Sequence, residues 1–325
     1  MAQPYIITGT AGVALQDYYD RKLLERAVPN LVHARYGEQA DVPPRTGATI
    51  NWRKLIPFGL ATTALTEGTA PAKSYTTFSS VSVAVAQYGA YTDFSDLVEV
   101  QAYDDVIGEF VDAFGEQMGR TLDIIVRDAV VNAGAKQYAG DATTDASVRS
   151  SHATPADYYI DSAELMEALD TLKKNDIEPL EGGRYIAIVH PDSIRDLFND
   201  TNLVNAFQYA ADRGERNPLF TGVLGDYMGI RFVETSHSAT VYSSTATQYG
   251  YIYRTPIIGK GAYKVSKFSA LAARTIIHPR GSGGHADPLE QVSQVGWIAA
   301  IAAKVVESNA IVTITHITSS STLNS

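Results

Sequence analysis

The chain has 325 residues, of which 45% are apolar and 19% are charged, and its formal net charge at pH 7 is -10. These proportions are those of a globular protein and exclude wholesale disorder, and the acidic balance argues against a nucleic-acid-binding protein, which would present a basic face. The chain has no cysteine, which excludes disulfides, thiolate metal sites and a cysteine nucleophile.

The sequence carries no signal for export or for a membrane. Residues 1–10 lack the basic and apolar regions of a signal peptide. The most apolar late stretch, residues 292–306, is too short to span a bilayer. We therefore expect synthesis in the cytoplasm and no membrane partner.

The N-terminal segments predict an arm followed by a helix. Residues 1–12 are small, polar and rich in glycine and threonine, which favours an extended arm. Residues 14–27 have the apolar spacing of an amphipathic helix, which Pro29 ends or kinks. Gly37 and Pro43 mark a loop after this helix.

Two alternating segments predict a long β-ribbon over residues 48–92. In the first segment, Ile50, Trp52 and Lys54 share one face of an extended strand. In the second, residues 77–91, valine alternates with serine and alanine. The stretch between them is rich in threonine, alanine, glycine and proline and predicts a loose tip. An isolated ribbon is marginal in water, so we expect it to lie on something else, and a neighbouring subunit is the natural candidate.

A long amphipathic helix is the central predicted element. From residue 103 to residue 133 apolar side chains recur at steps of three and four, close to the helical period. At about 1.5 Å per residue, this segment forms a rod roughly 46 Å long. Its charged residues, among them Asp104, Asp105 and Glu109, fall mainly on the opposite face. We expect the apolar stripe to face later strands and the acidic stripe to face solvent or a neighbour.

Residues 161–260 alternate helix and strand signals, which favours a compact α/β domain. Before it, residues 134–159 show no period and predict a loop or a surface hairpin. Asp161 begins a helix as its N-cap, with Glu164 three residues later as the partner in a capping box. A second helix begins at Pro191. The predicted strands are residues 184–190, 229–235 and 248–253.

The last segment predicts strands again, at residues 272–278, 294–304 and 310–317. These strands are too few for a separate domain, so we expect them to pack along the long helix. The polar tail, residues 319–325, is expected to be frayed.

His190 and Asp192 are the first place to look for catalysis, because they stand where a strand ends and a helix begins. Ligand crevices form outside the carboxyl ends of strands. An aspartate at a helix N-terminus is also an ordinary cap. An α/β enzyme with a site near these two residues is therefore kept as an alternative function.

The other polar clusters give weaker signals. His278, His285 and Asp287 could supply ligands to a divalent ion, but no rigid element of the sequence holds them. The carboxylates of Asp104 and Asp105 lie on an exposed rod, where a solvated face is the simpler explanation. The fingerprints of serine hydrolases, zinc proteases and dinucleotide-binding proteins are absent. We predict no catalytic residue, no metal and no cofactor.

Several short motifs carry a resemblance to a known family. They are Pro29-Asn30-Leu31-Val32-His33, Val189-His190-Pro191-Asp192, and Asp287-Pro288-Leu289-Glu290-Gln291 followed by Val295-Gly296-Trp297. The order of arm, ribbon, long helix, α/β domain and returning strands covers nearly the whole chain. The sequence resembles the major capsid protein of tailed bacteriophages, with the Hong Kong 97-type coat fold of the α+β class. The resemblance is closest to the coat-protein family typified by phage N-four.

In the terms of that family, the resemblance implies four regions. The ribbon corresponds to the extended loop, and the long helix to the spine. The regions are an N-terminal arm (1–47), an extended loop (48–92), a peripheral domain (93–160 and 266–325, with the spine helix at 93–134) and an axial domain (161–265).

The resemblance further implies a non-enzymatic structural protein of the virion. Such subunits assemble with copies of themselves into hexamers and pentamers of an icosahedral shell, which encloses double-stranded DNA without sequence-specific binding. Portal and scaffolding proteins are implied partners, with room for a decoration protein, and assembly is expected in the host cytoplasm. Because the chain begins almost directly with the coat, we expect a separate scaffolding protein unless a propeptide has been removed. Another virion component, such as a tail or cement protein, is a further alternative.

The expected contacts between subunits lie on the ribbon and on the long helix. They are Trp52, Arg53, Lys54, Glu67, Lys73, Asp104, Asp105 and Glu109. Some phages of this fold cross-link subunits through a lysine and an asparagine, but no motif near Lys54 or Lys73 supports carrying that chemistry over.

Overall fold

The computed structural model describes residues 8–41, 49–56, 58–65, 67–95, 106–150, 154–208, 225–245, 249–267, 273–279 and 291–321. Its α-helices are α1 (Thr8–Ala27), α2 (Val32–Arg35), α3 (Val106–Val131), α4 (Asp145–Arg149), α5 (Ser162–Lys174), α6 (Pro191–Asn199) and α7 (Thr201–Gln208). Short 3-10 helices are Val28–Asn30, Pro155–Tyr158 and Ser308–Ala310. Within these ranges, no helix has the length and apolar character needed to cross a membrane.

The described strands form four sheets. In chain order they are β1 (Glu38–Asp41), β2 (Thr49–Leu55), β3 (Phe78–Ala84), β4 (Ala86–Ser95), β5 (Ala135–Tyr138), β6 (Tyr185–Val189), β7 (Asp226–Tyr227), β8 (Ile230–Glu234), β9 (Ala239–Tyr242), β10 (Tyr251–Ile258), β11 (Tyr263–Lys267), β12 (Arg274–His278), β13 (Val292–Ile301), β14 (Ala303–Val305) and β15 (Ile311–His316). The sheets are β5-β15-β10-β6-β8-β7 with β9 added to β10, then β12-β13-β4, β1-β11-β14, and the pair β2-β3.

Helix α3 is the predicted rod, and α1, α2, β13 and β14 pack along it. Its 26 residues span about 39 Å. Its main buried apolar side chains recur at multiples of one or two helical turns, as an amphipathic helix requires: Val111, Met118, Leu122, Val126 and Val130. The prediction that the apolar side of this helix faces later strands is confirmed for β13 and β14.

Helix α1 lies very close to α3 because glycines of α3 face it. A Cβ atom built on Gly119 would stand 2.5 Å from the carbonyl oxygen of Ala27, and one built on Gly115 would stand 2.7 Å from that of Leu23. Contacts of this length are possible only where no side chain intervenes. The two glycines therefore fix where α1 crosses the rod.

Residues 8–12, predicted as part of an extended arm, belong instead to the first turns of α1. Thr8, Gly9 and Gly12 have weak intrinsic helix propensity, which is why the sequence pattern favoured an arm there. The helix as a whole packs on α3, and tertiary packing of this kind overrides local propensity. Residues 1–7 lie outside the described part of the chain.

Asp123 corrects the expectation that the charged residues of α3 face solvent. Its side chain is fully buried. One carboxylate oxygen accepts hydrogen bonds from the backbone N–H of His33 at 2.7 Å and of Ala34 at 3.2 Å, and the other lies 2.7 Å from Nδ1 of His33. The hydroxyl of Tyr263 donates to the His33 carbonyl. This network ties α2 to the middle of α3.

The seven-stranded sheet carries its helices mainly on one side. Strand β6 lies in its centre, parallel to β8 and antiparallel to β10. All five residues of β6 are buried, because α5 and α6 cover one face and residues of α3 with their neighbours cover the other. A strand that is covered on both faces has a continuous apolar sequence, which the run Tyr-Ile-Ala-Ile-Val illustrates.

Strand β15 was predicted to pack along the long helix, and the structure corrects this. It lies inside the seven-stranded sheet, antiparallel to β10 and parallel to β5, and packs against α5. All six of its residues are buried. Threonine alternates with apolar residues along this strand, and the threonines are buried as well.

Two strands predicted as single elements each divide between two sheets. The second ribbon strand breaks at Val85, so that β3 pairs with β2 and β4 pairs with β13. The strand predicted at residues 294–304 breaks at Ala302, after which β14 pairs with β11. Ser266 stabilises this break, because its N–H donates to the Ala302 carbonyl at 2.8 Å and its Oγ accepts from the Ala302 N–H at 2.7 Å.

Three smaller predictions are corrected. The loop predicted at residues 134–159 contains β5, α4 and a 3-10 turn. Asp161 caps α5 as predicted, but Glu164 does not complete a capping box, since its carboxylate accepts from Gln137 and from the Gly140 N–H. In the tail, Ser319 is held by Asp196, which accepts from its N–H at 2.8 Å and from its hydroxyl.

Candidate assembly surface

The ribbon formed by β2 and β3 projects from the subunit as a two-stranded unit. Its register runs from Thr49 opposite Ala84 to Leu55 opposite Phe78. Exposure alternates along β2, and Ile50, Trp52 and Lys54 are the more buried residues, as the sequence predicted. In the described residues, neither strand pairs with any other strand.

The inner face of the ribbon is attached to its own subunit. Trp52 is only 7% exposed, and the Lys54 ammonium forms an ion pair with Glu307, which follows β14. Strand β3 contacts β14 at the same place. Trp52 and Lys54 were predicted to contact a neighbouring subunit; both side chains have partners within the chain, and contact with a neighbour stays a prediction for them.

The outer face and the tip of the ribbon are apolar and uncovered in the described residues. Leu60 is 92% exposed and Tyr75 is 82% exposed. The set of exposed large apolar side chains in this segment is Leu55, Ile56, Phe58, Leu60, Leu65, Tyr75 and Phe78. Soluble monomers seldom expose a contiguous patch of this kind, and such patches mark interaction sites.

Sequence reasoning missed this patch, since residues 56–73 were interpreted by their turn-forming residues alone. Phe58, Leu60 and Leu65 are spaced irregularly and belong to no periodic element, so neither the helical nor the strand period detects them. The sequence feature that could have revealed the patch is the presence of large apolar residues in a segment otherwise rich in turn-forming and small residues.

The remaining predicted contact residues fall in two places. Arg53 lies on the outer ribbon face, with its guanidinium 5.9 Å from the centre of the Phe78 ring. Glu67 and Lys73 are exposed in the tip, and Glu109 is exposed on α3. Asp104 and Asp105 lie outside the described residues. Contact with a neighbour stays a prediction for all of these.

A second exposed surface is the outer face of the sheet β12-β13-β4. Trp297 points inward, where its indole N–H donates to Gln117 of α3 at 3.0 Å, so Gly296 and Ile298 point outward. Gly296 lies between Ile276 and the 73% exposed Tyr91. These residues line a groove of about 490 Å³.

His190 and Asp192 form a helix cap. Nδ1 of His190 accepts from the Asp192 N–H at 3.2 Å, at the first turn of α6. The Asp192 carboxylate accepts from the hydroxyl of Tyr253 at 2.8 Å. Burial lowers the pKa of His190. These hydrogen bonds cap α6 and hold it against β10. They correspond to the helix cap that the sequence offered as the alternative to an enzyme site.

His316 extends the same cluster inward. Its ring stacks on Tyr253 at 6.0 Å, its Nδ1 donates to the Ile317 carbonyl at 3.0 Å, and its Nε2 accepts from the Thr255 hydroxyl at 3.1 Å. Complete burial lowers the pKa of His316 to about 4. The ring is therefore neutral at pH 7 and acts as a core residue.

The described residues contain no group of three or more side chains suited to holding a metal ion. His278 is exposed at the end of β12. His285 and Asp287, its predicted partners, lie outside the described part of the chain.

Solved structures of phage capsids have folds similar to that of this chain. The capsid protein of cyanophage Pam1 has a TM-score of 0.64 at 16% identity, over 91% of this chain and 92% of its own. That of cyanophage P-SCSP1u has a TM-score of 0.63 at 16% identity, over 87% of each chain. That of Ralstonia phage GP4 has a TM-score of 0.63 at 13% identity, over 87% of each chain. The predicted Hong Kong 97-type coat fold is thereby confirmed.

A match between the sequence and a family profile identifies the family. The profile of the phage capsid protein family matches residues 78–281, a range that begins with β3 and includes β12. A comparison with curated protein sequences finds no match. The chain belongs to the phage capsid protein family, and its function is that of a structural capsid protein, as the sequence predicted.

Proposed function

We propose that this chain is the subunit that builds an icosahedral phage head, through hexamers and pentamers of itself. The observation that carries the proposal is the ribbon, whose apolar tip is uncovered in the described residues of its own chain. A surface of this kind is stabilised when a neighbouring copy covers it. Capsid-family membership supports the same conclusion.

The proposed regions follow the sequence prediction with three changes. We keep the arm (1–47), the peripheral domain (93–160 and 266 onward) and the axial domain (161–265). The extended loop, predicted at 48–92, ends at Val85, because β4 pairs with β13, and the spine helix, predicted at 93–134, is Val106–Val131 in the described residues. Strand β15 pairs with β10 and β5, so we assign residues 311–317 to the axial sheet. The particular kinship to the phage N-four coat proteins remains part of the proposal.

The shell encloses double-stranded DNA without reading its sequence, and the subunit performs no catalysis. The net charge of -10 supports enclosure of DNA without tight binding, because an acidic inner wall does not attract a polyanion. Portal and scaffolding proteins are the proposed partners, a decoration protein has room to bind, and assembly takes place in the host cytoplasm. A map of surface potential on the assembled shell that showed a basic inner wall would contradict the charge argument.

Electron microscopy of the purified protein tests the proposal. Closed shells or rings of capsomer size are expected, and stable monomers at high concentration would contradict it. Deleting residues 56–73 should abolish shells and leave a folded subunit, because every described residue of this segment is exposed. Circular dichroism checks the fold, and an unfolded product would mean that the ribbon belongs to the core.

A further inference from the structure

Tyr242 and Tyr251 form an exposed pair of phenol rings on the seven-stranded sheet. Tyr242 ends β9 and Tyr251 begins β10, and the two residues lie opposite each other in the antiparallel register. Their ring centres are 4.9 Å apart, and their ring planes meet at 49°. The two residues are 58% and 47% exposed. A soluble reagent can therefore reach both rings while they are in contact.

The backbone brings these two side chains close together. The neighbouring pair is joined by a hydrogen bond from the Ser243 N–H to the Gly250 carbonyl at 2.8 Å. Hydrogen-bonded and non-hydrogen-bonded pairs alternate along an antiparallel ladder, so Tyr242 and Tyr251 form a non-hydrogen-bonded pair, whose Cα atoms lie about 4.5 Å apart. This is the closer type of pair, and both side chains leave the sheet on the same face. The sheet alone therefore holds the two rings in contact.

Exposed phenols in contact can be joined by oxidation. Loss of the hydroxyl hydrogen from each tyrosine gives two phenoxyl radicals, whose unpaired electrons are shared with the ring carbons next to the hydroxyl. Two such carbons form a carbon–carbon bond, and the hydrogens they carried return to the oxygens, so the pair loses two hydrogen atoms. Hydrogen peroxide takes up those two hydrogens and becomes two molecules of water. Crowding around the new bond tilts the joined rings, so the observed tilt of 49° suits the product.

A second pair of tyrosine rings provides a comparison within the chain. Tyr18 and Tyr19 follow each other on α1, with ring centres 5.3 Å apart and planes that meet at 71°, edge to face. Tyr18 is 59% exposed, as accessible to a reagent as Tyr242. Consecutive residues of a helix do not face each other, and an edge-to-face contact keeps the carbons that must join apart. We expect no link between these two rings.

We propose that Tyr242 and Tyr251 are a site of oxidative cross-linking, at which hydrogen peroxide converts them to a dityrosine within one chain. The new bond fastens β9 to β10, the only strand with which β9 pairs in the described residues. The chain has no cysteine, so the dityrosine supplies a covalent bond between strands that a disulfide cannot. The inference concerns a single subunit and does not depend on the proposed shell.

Treatment of the purified protein with a peroxidase and hydrogen peroxide tests the proposal. The chain is expected to lose two hydrogen atoms by mass, to migrate as a monomer on a denaturing gel and to acquire dityrosine fluorescence. Tyr242→Phe and Tyr251→Phe should each abolish this product, because phenylalanine has no hydroxyl hydrogen to lose, while its ring preserves the packing. Tyr18→Phe is the matched control and should give the product in full.

Digestion of the oxidised chain locates the bond. Residues 232–253 contain no lysine or arginine, so trypsin releases both tyrosines in one peptide that ends at Arg254. Cleavage of this peptide after Tyr249 opens the chain between them, and the two pieces stay together only if the link is present. The proposal is overturned if the unmodified chain gives no such product, if the product persists in Tyr242→Phe, or if the link joins these tyrosines to another chain.

Amide hydrogen exchange measures the consequence for the fold. Residues 239–242 should exchange more slowly after oxidation, because β9 can no longer separate from β10. Tyr251→Phe, treated in the same way, should show no such slowing. Equal slowing in both proteins would contradict the assigned link, since it would place the effect of the oxidant elsewhere.

Discussion

At the scale of single residues, the buried contact between Asp123 and His33 holds the N-terminal segment on the spine helix. The carboxylate is the acceptor for three donors, two of them backbone N–H groups that no other atom of α3 could satisfy. Nε2 of His33 has no hydrogen-bond partner in the described residues, but the three donors that face Asp123 are all paired, and buried pairs of this kind favour one geometry. The contact therefore sets the position of α2 along α3.

Replacing Asp123 with alanine should lower the free energy of unfolding by about 3–5 kcal/mol, because three buried donors lose their acceptor. Denaturant unfolding of the subunit measures this. Asp128→Ala is the matched control on the same helix, since that side chain is 54% exposed, and it should change stability by less than about 1 kcal/mol. Similar losses for both variants would contradict the assigned role of Asp123.

His316 should make the subunit less stable in mild acid. Its pKa is lowered to about 4 in the folded chain, from an ordinary 6.5. The unfolded chain therefore takes up the proton first, and the contribution of His316 is fully present above about pH 6.5 and is lost as the pH falls toward 4. The loss amounts to roughly 3 kcal/mol.

A comparison of unfolding free energies at pH 7 and at pH 4.5 checks this prediction. The variant His316→Gln keeps a donor and an acceptor but does not titrate. Its stability should fall less than that of the unmodified chain over the same interval. A pH dependence identical in the two proteins would show that other groups cause the loss.

Sequence reasoning predicted the helix cap formed by Asp161 and failed for Asp123. The cap formed by Asp161 depends on its neighbours in the chain, and Glu164 N–H indeed donates to it at 2.9 Å. Asp123 depends on His33, which is 90 positions away. A charged residue on a helix is normally exposed, and only the position of α2 reverses that expectation.

At the scale of elements, the contact between α1 and α3 depends on glycines that a sequence pattern would count as weak points of a helix. Gly119→Ala raises helix propensity by about 1 kcal/mol, yet here the new methyl group would meet the backbone of Ala27. We expect a net loss of about 1–3 kcal/mol, measured by denaturant unfolding.

The matched control for Gly119→Ala is Ala113→Gly, at an exposed position of the same helix. It should cost about 1 kcal/mol through propensity alone. Glycine is thus predicted to be favourable at position 119 and unfavourable at position 113. A gain of stability in Gly119→Ala would mean that α1 does not lie against this part of the rod in solution.

The strand breaks at Val85 and Ala302 could not be predicted from the sequence pattern. Both fall inside runs with strand-forming residues, so the local pattern contains no turn residue that would announce them. The cause is tertiary, because the two halves of each run pair with different partners. The periods of the strands and of α3 were predictable, whereas the sheets to which the strands belong were not.

At the scale of the whole molecule, the residues that stabilise the fold and the residues proposed for assembly lie in different parts of the subunit. The root of the ribbon is fixed by Trp52 and by the ion pair of Lys54 with Glu307. The tip, by contrast, presents apolar area that the described residues of its own chain leave exposed. The order of arm, ribbon, rod and α/β domain was sufficient to predict the fold from the sequence, since that order is a property of the entire chain.

This separation predicts that a change at the tip affects assembly without affecting folding. Replacing both Leu60 and Leu65 with serine removes apolar side chains that are 92% and 76% exposed in the subunit. Surface changes of this kind usually alter stability by less than about 0.5 kcal/mol. Each buried leucine contributes about 1.5–3 kcal/mol to a contact that covers it, so assembly should need a much higher protein concentration.

Light scattering measures the assembly and denaturant unfolding measures the subunit. Thr62→Ser is the control, because it lies in the same tip and removes little apolar area, and it should behave as the unmodified chain. An unchanged assembly threshold in the double variant would show that the tip is not a contact. A large loss of subunit stability would instead place Leu60 and Leu65 in the core, because a side chain stabilises the isolated fold only where that fold buries it.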